Sequence, residues 1–69
     1  MAKITIYDLV TELQTWIPFS KEILEKAKKS KITNLNNSHF EEIVDAWSCG
    51  VYDEDIDGLQ IQLENLLTN

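Results

Sequence analysis

Residues 52 to 64 read YDEDIDGLQIQLE, and two incompatible backbones fit them. Asp53, Asp55, Asp57, Gly58 and Glu64 fill every demanded position of the D-x-[DN]-x-[DN]-G-x5-E cation-loop pattern. The same stretch also opens an acidic helix. Ile56, Leu59, Leu63 and Leu66 are spaced 3, 4 and 3 apart, with Leu67 adjacent, a heptad-like seam that runs almost to the end of the chain. A metal loop would wrap these residues around an ion. A helix would lay their apolar side chains along one stripe.

The loop alternative resembles a single EF-hand over residues 53–64. That resemblance implies side-chain oxygens from Asp53, Asp55 and Asp57, a carbonyl from Leu59, a sharp turn at Gly58 and a bidentate carboxylate from Glu64. It covers one twelve-residue segment. Ile56, Gln60 and Ile61 stand at the fourth, eighth and ninth loop positions, where small or polar, aliphatic, and polar groups respectively are usual. No sister loop exists to pair with it. The helix alternative uses the same residues without conflict. Asp53 becomes the N-cap, and Glu54, Asp55 and Asp57 lie in the first turns, where each carboxylate stabilises the helix by about 0.3–1 kcal/mol. Gly58 costs about 1 kcal/mol relative to Ala. The spacing therefore predicts a helix over 54–67 that binds no calcium at physiological concentration, and no metal or cofactor is implied.

Three more helices precede it. In TIYDLVTELQTWI, Ile6, Val10, Leu13 and Ile17 share a stripe with Leu9 and Trp16 beside it, which predicts a helix over 5–17. Pro18 ends it by restricting the preceding residue. Ser20 is a good N-cap for a helix over 20–29. Phe19 and Leu24 stand at the staple positions, and Ile23, Leu24 and Ala27 face inward. So short a connection implies that the first two helices form a corner or hairpin. SKITNLNN, residues 30–37, reads as a loop with Ile32 and Leu35 tucked beneath it. A helix over 38–48 follows, marked by Ser38 and Glu41 as a capping box, by Phe40, Ile43, Val44 and Trp47 at helical spacing, and by Gly50 as a stop. AKITI, residues 2–6, is the only strand candidate. The expected fold is all-α: one domain over 1–69, a compact bundle of about four short helices. The seam is more regular than a monomer core requires, which suits self-association through the C-terminal helix into a homodimer; the alternative is that it simply covers the first and third helices.

Length and composition narrow the function. A chain of 69 residues buries too little surface for a large enclosed active site. The apolar residues near the start are interrupted by Lys3, Asp8 and Glu12, which is not the pattern of a secretory leader, and no run approaches the roughly 20 apolar residues of a membrane span. Cys49 is the only cysteine, so a reduced, cytoplasmic protein is expected. All six basic residues are Lys, a usage that suits an AT-rich genome. Five of them, Lys21, Lys26, Lys28, Lys29 and Lys31, lie within 21–31 beside Glu22 and Glu25. Residues 39–69 carry eight acids and no Lys or Arg, and the net charge is −6. Such a surface repels phosphate and attracts basic proteins.

Catalytic chemistry finds little to stand on. His39 and Cys49 are single and lie at opposite ends of the third helix, about 15 Å apart at 1.5 Å per residue. His39 reads as an exposed first-turn residue and Cys49 as a small, partly buried apolar one. The lysine cluster lacks interleaved aromatics, and its following loop is too long for a helix-turn-helix, so it reads as a solvated face. Trp16, Phe19, Phe40 and Trp47 recur at core spacing; an exposed Trp would instead anchor an interface. The expectation is a binding module, not an enzyme. Its acidic residues Glu41, Glu42, Asp45, Asp53, Glu54, Asp55 and Asp57 would occupy a basic surface of a nucleic-acid-handling enzyme or a toxin, as small phage and plasmid inhibitors or adaptors do. The alternatives are the EF-hand-like calcium binder and a Lys-mediated nucleic-acid binder.

Overall fold

Each helix begins where a short polar side chain accepts a backbone N–H that has no partner inside the helix. Helix α1 (Ile6–Leu13) opens on a capping box: Thr5 Oγ1 accepts from Asp8 N at 3.0 Å, and Asp8 Oδ2 accepts from Thr5 N at 3.3 Å. Helix α2 (Lys21–Lys29) is capped as expected by Ser20, whose Oγ accepts from Ile23 N at 3.2 Å. Helix α3 (Ser38–Ser48) is capped by Asn37, with Oδ1 accepting from Phe40 N at 3.0 Å. Helix α4 (Ile56–Thr68) is capped by Asp55, with Oδ1 accepting from Gly58 N at 3.1 Å. The computed structural model describes residues 2–68; of the span expected as one domain, Met1 and Asn69 lie outside the described residues.

Three boundaries depart from the sequence reading. Helix α1 ends at Leu13, four residues earlier than expected. The chain continues as turns, with Trp16 N and Ile17 N both donating to Leu13 O at 2.9 and 2.8 Å. That tightening satisfies the carbonyl of Leu13 and rotates Trp16 outward. The cap of α3 is Asn37 and not Ser38, one residue earlier, because it is the Asn37 side chain that reaches the third helical N–H. The cap of α4 is Asp55 and not Asp53, and the helix begins at Ile56 instead of residue 54, because residues 51–54 are held as turns by Asp53 N to Gly50 O and Asp55 N to Tyr52 O. The stop after α3 is as expected. Gly50 has φ +84°, and its N–H donates to Trp47 O while Val51 N donates to Ala46 O, a Schellman motif.

The segments read as strand candidate and loop find each other. Ile6 N donates to Ile32 O and Asn34 N to Ile4 O, which makes one isolated antiparallel bridge between Thr5 and Thr33. Asn34 is 2% exposed; its Oδ1 accepts from Ile4 N at 2.8 Å and its Nδ2 donates to Ala2 O at 3.1 Å. Thr33 is buried beside it and accepts from Leu35 N and Asn36 N through Oγ1. Ile32 packs against the core as expected, but Leu35 is 61% exposed and does not tuck under the loop. The loop is closed by polar bonds of Thr33, Asn34 and Asn36, so it has no need of Leu35 as an apolar plug.

The core is built from all four stripes. Ile6, Leu9, Val10, Leu13, Ile17, Phe40, Leu59 and Leu63 are fully buried, and Ala27, Ile23, Ile43, Val44 and Phe19 complete the cluster. Helix α1 packs on α2, and α4 packs on α2 and α3. The seam of α4 faces inward: Leu59 and Leu63 lie at the core, with Ile56, Leu66 and Leu67 half-buried around them. The radius of gyration is 11.0 Å, the value that a compact chain of this length should have, about 2.2·N^0.38 Å. Among the described residues the fold is thus an all-α bundle of four short helices. Among the described residues, no helix is long and apolar enough to cross a membrane.

Candidate functional site

The acidic residues divide into two groups. Asp53, Glu54, Asp55 and Asp57 come together with Ile56 around one open cleft of about 250 Å³ at the start of α4. The turn from Gly50 to Asp55 presents the first three, and the first helical turn presents Asp57. Glu41, Glu42 and Asp45 stand on α3 and do not line this cleft; Glu42 and Asp45 are exposed and Glu41 is half-buried. The expected set of seven carboxylates is therefore a cluster of four plus a separate helical row.

The cluster does not have the shape of an EF-hand loop. Residues 56–68 are helical, so Glu64 lies two turns along α4 from Ile56, about 12 Å at 1.5 Å per residue. Glu64 Oε2 accepts from Gln60 Nε2 at 3.0 Å on its own helix face. Its carboxylate cannot close a coordination sphere with Asp53 and Asp55. Among the described residues, no group of three or more His, Cys, Asp or Glu side chains is arranged to hold a metal ion.

A second cleft adjoins the first. Leu13, Trp16, Trp47 and Tyr52 line it, and Asp53 and Ile56 line both clefts; its volume is about 400 Å³. Trp16 is 72% exposed, which corrects its expected place in the core. Phe19 and Phe40 are buried as expected, and Trp47 packs half-buried against the core. Helical periodicity could not find Trp16's position, because it assumes a helix that continues past Leu13. The signal available was Pro18, which has no N–H to donate to the carbonyl of Gln14 and whose ring clashes with that carbonyl in a helix.

Other singled-out residues take structural places. His39 Nε2 pairs with Gln62 Oε1 at 3.2 Å and ties the start of α3 to α4. Cys49 is exposed, not partly buried, because it is the C-cap residue of α3 and points off the helix end. It is separated from His39 by the length of α3. The lysines of α2 lie largely toward solvent, and Lys26 pairs with Glu22 at 3.3 Å. Compared with protein-family models, curated proteins and solved structures, the chain matches none.

Proposed function

We propose that this chain is a small protein-interaction module, not an enzyme, that occupies a basic surface of a partner protein. A phage- or plasmid-type inhibitor or adaptor acting on a nucleic-acid-handling enzyme or a toxin fits that role. A cytoplasmic setting goes with it, since Cys49 has no second cysteine to pair with. The observation that carries this reading is the gathering of Asp53, Glu54, Asp55 and Asp57 around one open cleft that no lysine lines. Charges set so closely raise the local negative potential and steer a cationic surface toward it. The lysines of α2 stand on a different element and line neither acidic cleft.

The test uses an oligolysine peptide and titration followed by NMR. Binding should weaken as salt is raised from about 50 to 200 mM, the range over which exposed charges become screened. Asp53→Asn, Glu54→Gln and Asp57→Asn together should abolish it. Glu12→Gln, Glu22→Gln and Glu25→Gln remove as many charges from α1 and α2 and should leave it largely intact. Equal losses in the two triple variants would reduce the effect to net charge and remove the support for a site.

A further inference from the structure

We infer that the cleft between Trp16, Trp47 and Tyr52 receives an arginine side chain from a basic segment of a protein partner, with Asp53 as its counter-ion. This rests on the reading of the chain as an acid-bearing interaction module and specifies what that module grips.

Three elements build the cleft. Trp16 stands on the turn after α1, Trp47 lies in the last turn of α3, and Tyr52 lies in the turn before α4. Trp16 exposes 72% of its surface. An aromatic left this open gives the fold little burial energy, whereas Trp and Arg lead among the residues that anchor interfaces. The cleft, about 400 Å³, is roomy enough to admit a side chain.

The chemistry of the walls selects the occupant. A purely apolar anchor would be served by Leu13, Ile56 and the rings, but it would leave Asp53 in the wall without a partner. A bare ammonium would meet Asp53 but leave most of the apolar wall unused. Arginine matches both parts. Its aliphatic stem covers the apolar wall, and its planar guanidinium stacks on an indole face while donating two parallel N–H bonds to a carboxylate. The backbone bond from Asp53 N to Gly50 O, 3.2 Å, fixes the turn that carries Asp53, and its Oδ2 lies 3.0 Å from where a Cβ on Gly50 would stand.

The two clefts share Asp53 and Ile56, so the track continues. Basic residues beside the inserted arginine would lie over Glu54 and Asp57. No Lys or Arg occurs from Ile32 to the end of the chain, so nothing in that half of the sequence competes for these carboxylates. A second copy of this chain is a poorer occupant, since it contains no arginine.

The experiment compares two peptides, Lys-Gly-Arg-Gly-Lys and the same peptide with citrulline for arginine, which keeps the shape and removes the charge. Binding is read by NMR of the two indole N–H groups and by quenching of Trp fluorescence. The arginine peptide should bind at least roughly tenfold more tightly and shift the Trp16 indole, as expected for a desolvated anchor. Trp16→Ala should remove that preference while leaving the melting temperature unchanged, and Asp53→Asn should reduce it. If both peptides bind alike, or if Trp16→Ala leaves the preference intact while oligolysine binding persists, the arginine pocket is wrong and the acidic module stands. If oligolysine and both peptides fail to bind at about 1 mM, near −4 kcal/mol, both readings fall. A dimer in sedimentation that Trp16→Ala dissolves would place a second copy in the cleft and overturn the assignment.

Discussion

The Asp55 carboxylate lies directly over Gly58. Oδ1 accepts the Gly58 N–H at 3.1 Å, and a methyl group on Gly58 would overlap Oδ2. The glycine in the first turn of α4 is thus explained by a contact, and its propensity cost is offset by the cap it admits.

A double-mutant cycle follows from this. Asp55→Ala should destabilise the fold by about 0.5–2 kcal/mol in urea denaturation, the usual loss for an acidic N-cap. Asp53→Ala should cost less, because Asp53 does not cap the helix. Gly58→Ala alone should change stability little, since a propensity gain of up to about 1 kcal/mol is cancelled by displacement of the cap. In the Asp55→Ala background the same substitution should recover about 1 kcal/mol, a coupling typical of side chains in contact. An equal effect of Gly58→Ala in both backgrounds would contradict the contact.

Calcium should leave the protein unchanged. With α4 helical from Ile56, Glu64 is about 12 Å along the axis, beyond any shared coordination sphere. Addition of about 1 mM calcium, enough to half-fill even the weakest extracellular-type sites, should not move the melting temperature. Nor should Glu64→Gln create a calcium-dependent difference. A rise of several degrees that Glu64→Gln abolishes would require the loop to re-form around an ion.

Asn34 should be one of the costliest polar substitutions. Its side-chain amide closes two bonds to the backbone of residues 2–4 across about thirty positions of sequence, in a site that is 2% exposed. Asn34→Leu keeps the volume and leaves the part-buried Ile4 N–H and Ala2 carbonyl without their side-chain partner, at about 1 kcal/mol each. Hydrogen exchange at Ile4 N should accelerate in this variant even when stability is restored by low temperature. Asn34→Asp keeps the acceptor for Ile4 N and loses the donor to Ala2 O, so it should protect Ile4 better than leucine does. Unchanged exchange at Ile4 in Asn34→Leu would rule out the clamp.

Periodicity was enough to reveal four helices and most of the core. Ile6, Val10, Leu13 and Ile17, then Phe40, Ile43 and Val44, then Leu59 and Leu63 are buried at the spacing that their sequence displays. A helix has one inward face, and its apolar residues must return to that face every 3.6 positions whatever they pack against. The decision at residues 52 to 64 belongs to the same class: Leu59 and Leu63 reach the core together only on a helix. Caps were legible as neighbourhoods and not as residues. Asn37 and Ser38, or Asp53 and Asp55, carry equivalent acceptor oxygens, and only backbone direction selects the one that reaches the third N–H.

Other features were set where distant segments meet. The pairing of residues 4–6 with 32–34 and the burial of Asn34 depend on partners thirty positions away, for which a polar loop sequence carries no local signal. Trp16 lies beside an apolar stripe in sequence, yet α1 stops at Leu13 and the following turn carries the indole out to solvent. The aromatic cleft joins the end of α1, the end of α3 and the turn before α4. Sequence alone determined the apolar stripes that the four helices turn inward, because those follow from side-chain chemistry and helical period. Tertiary structure decided which aromatic and acidic groups share a surface, because that depends on how the helix ends are oriented when the core closes.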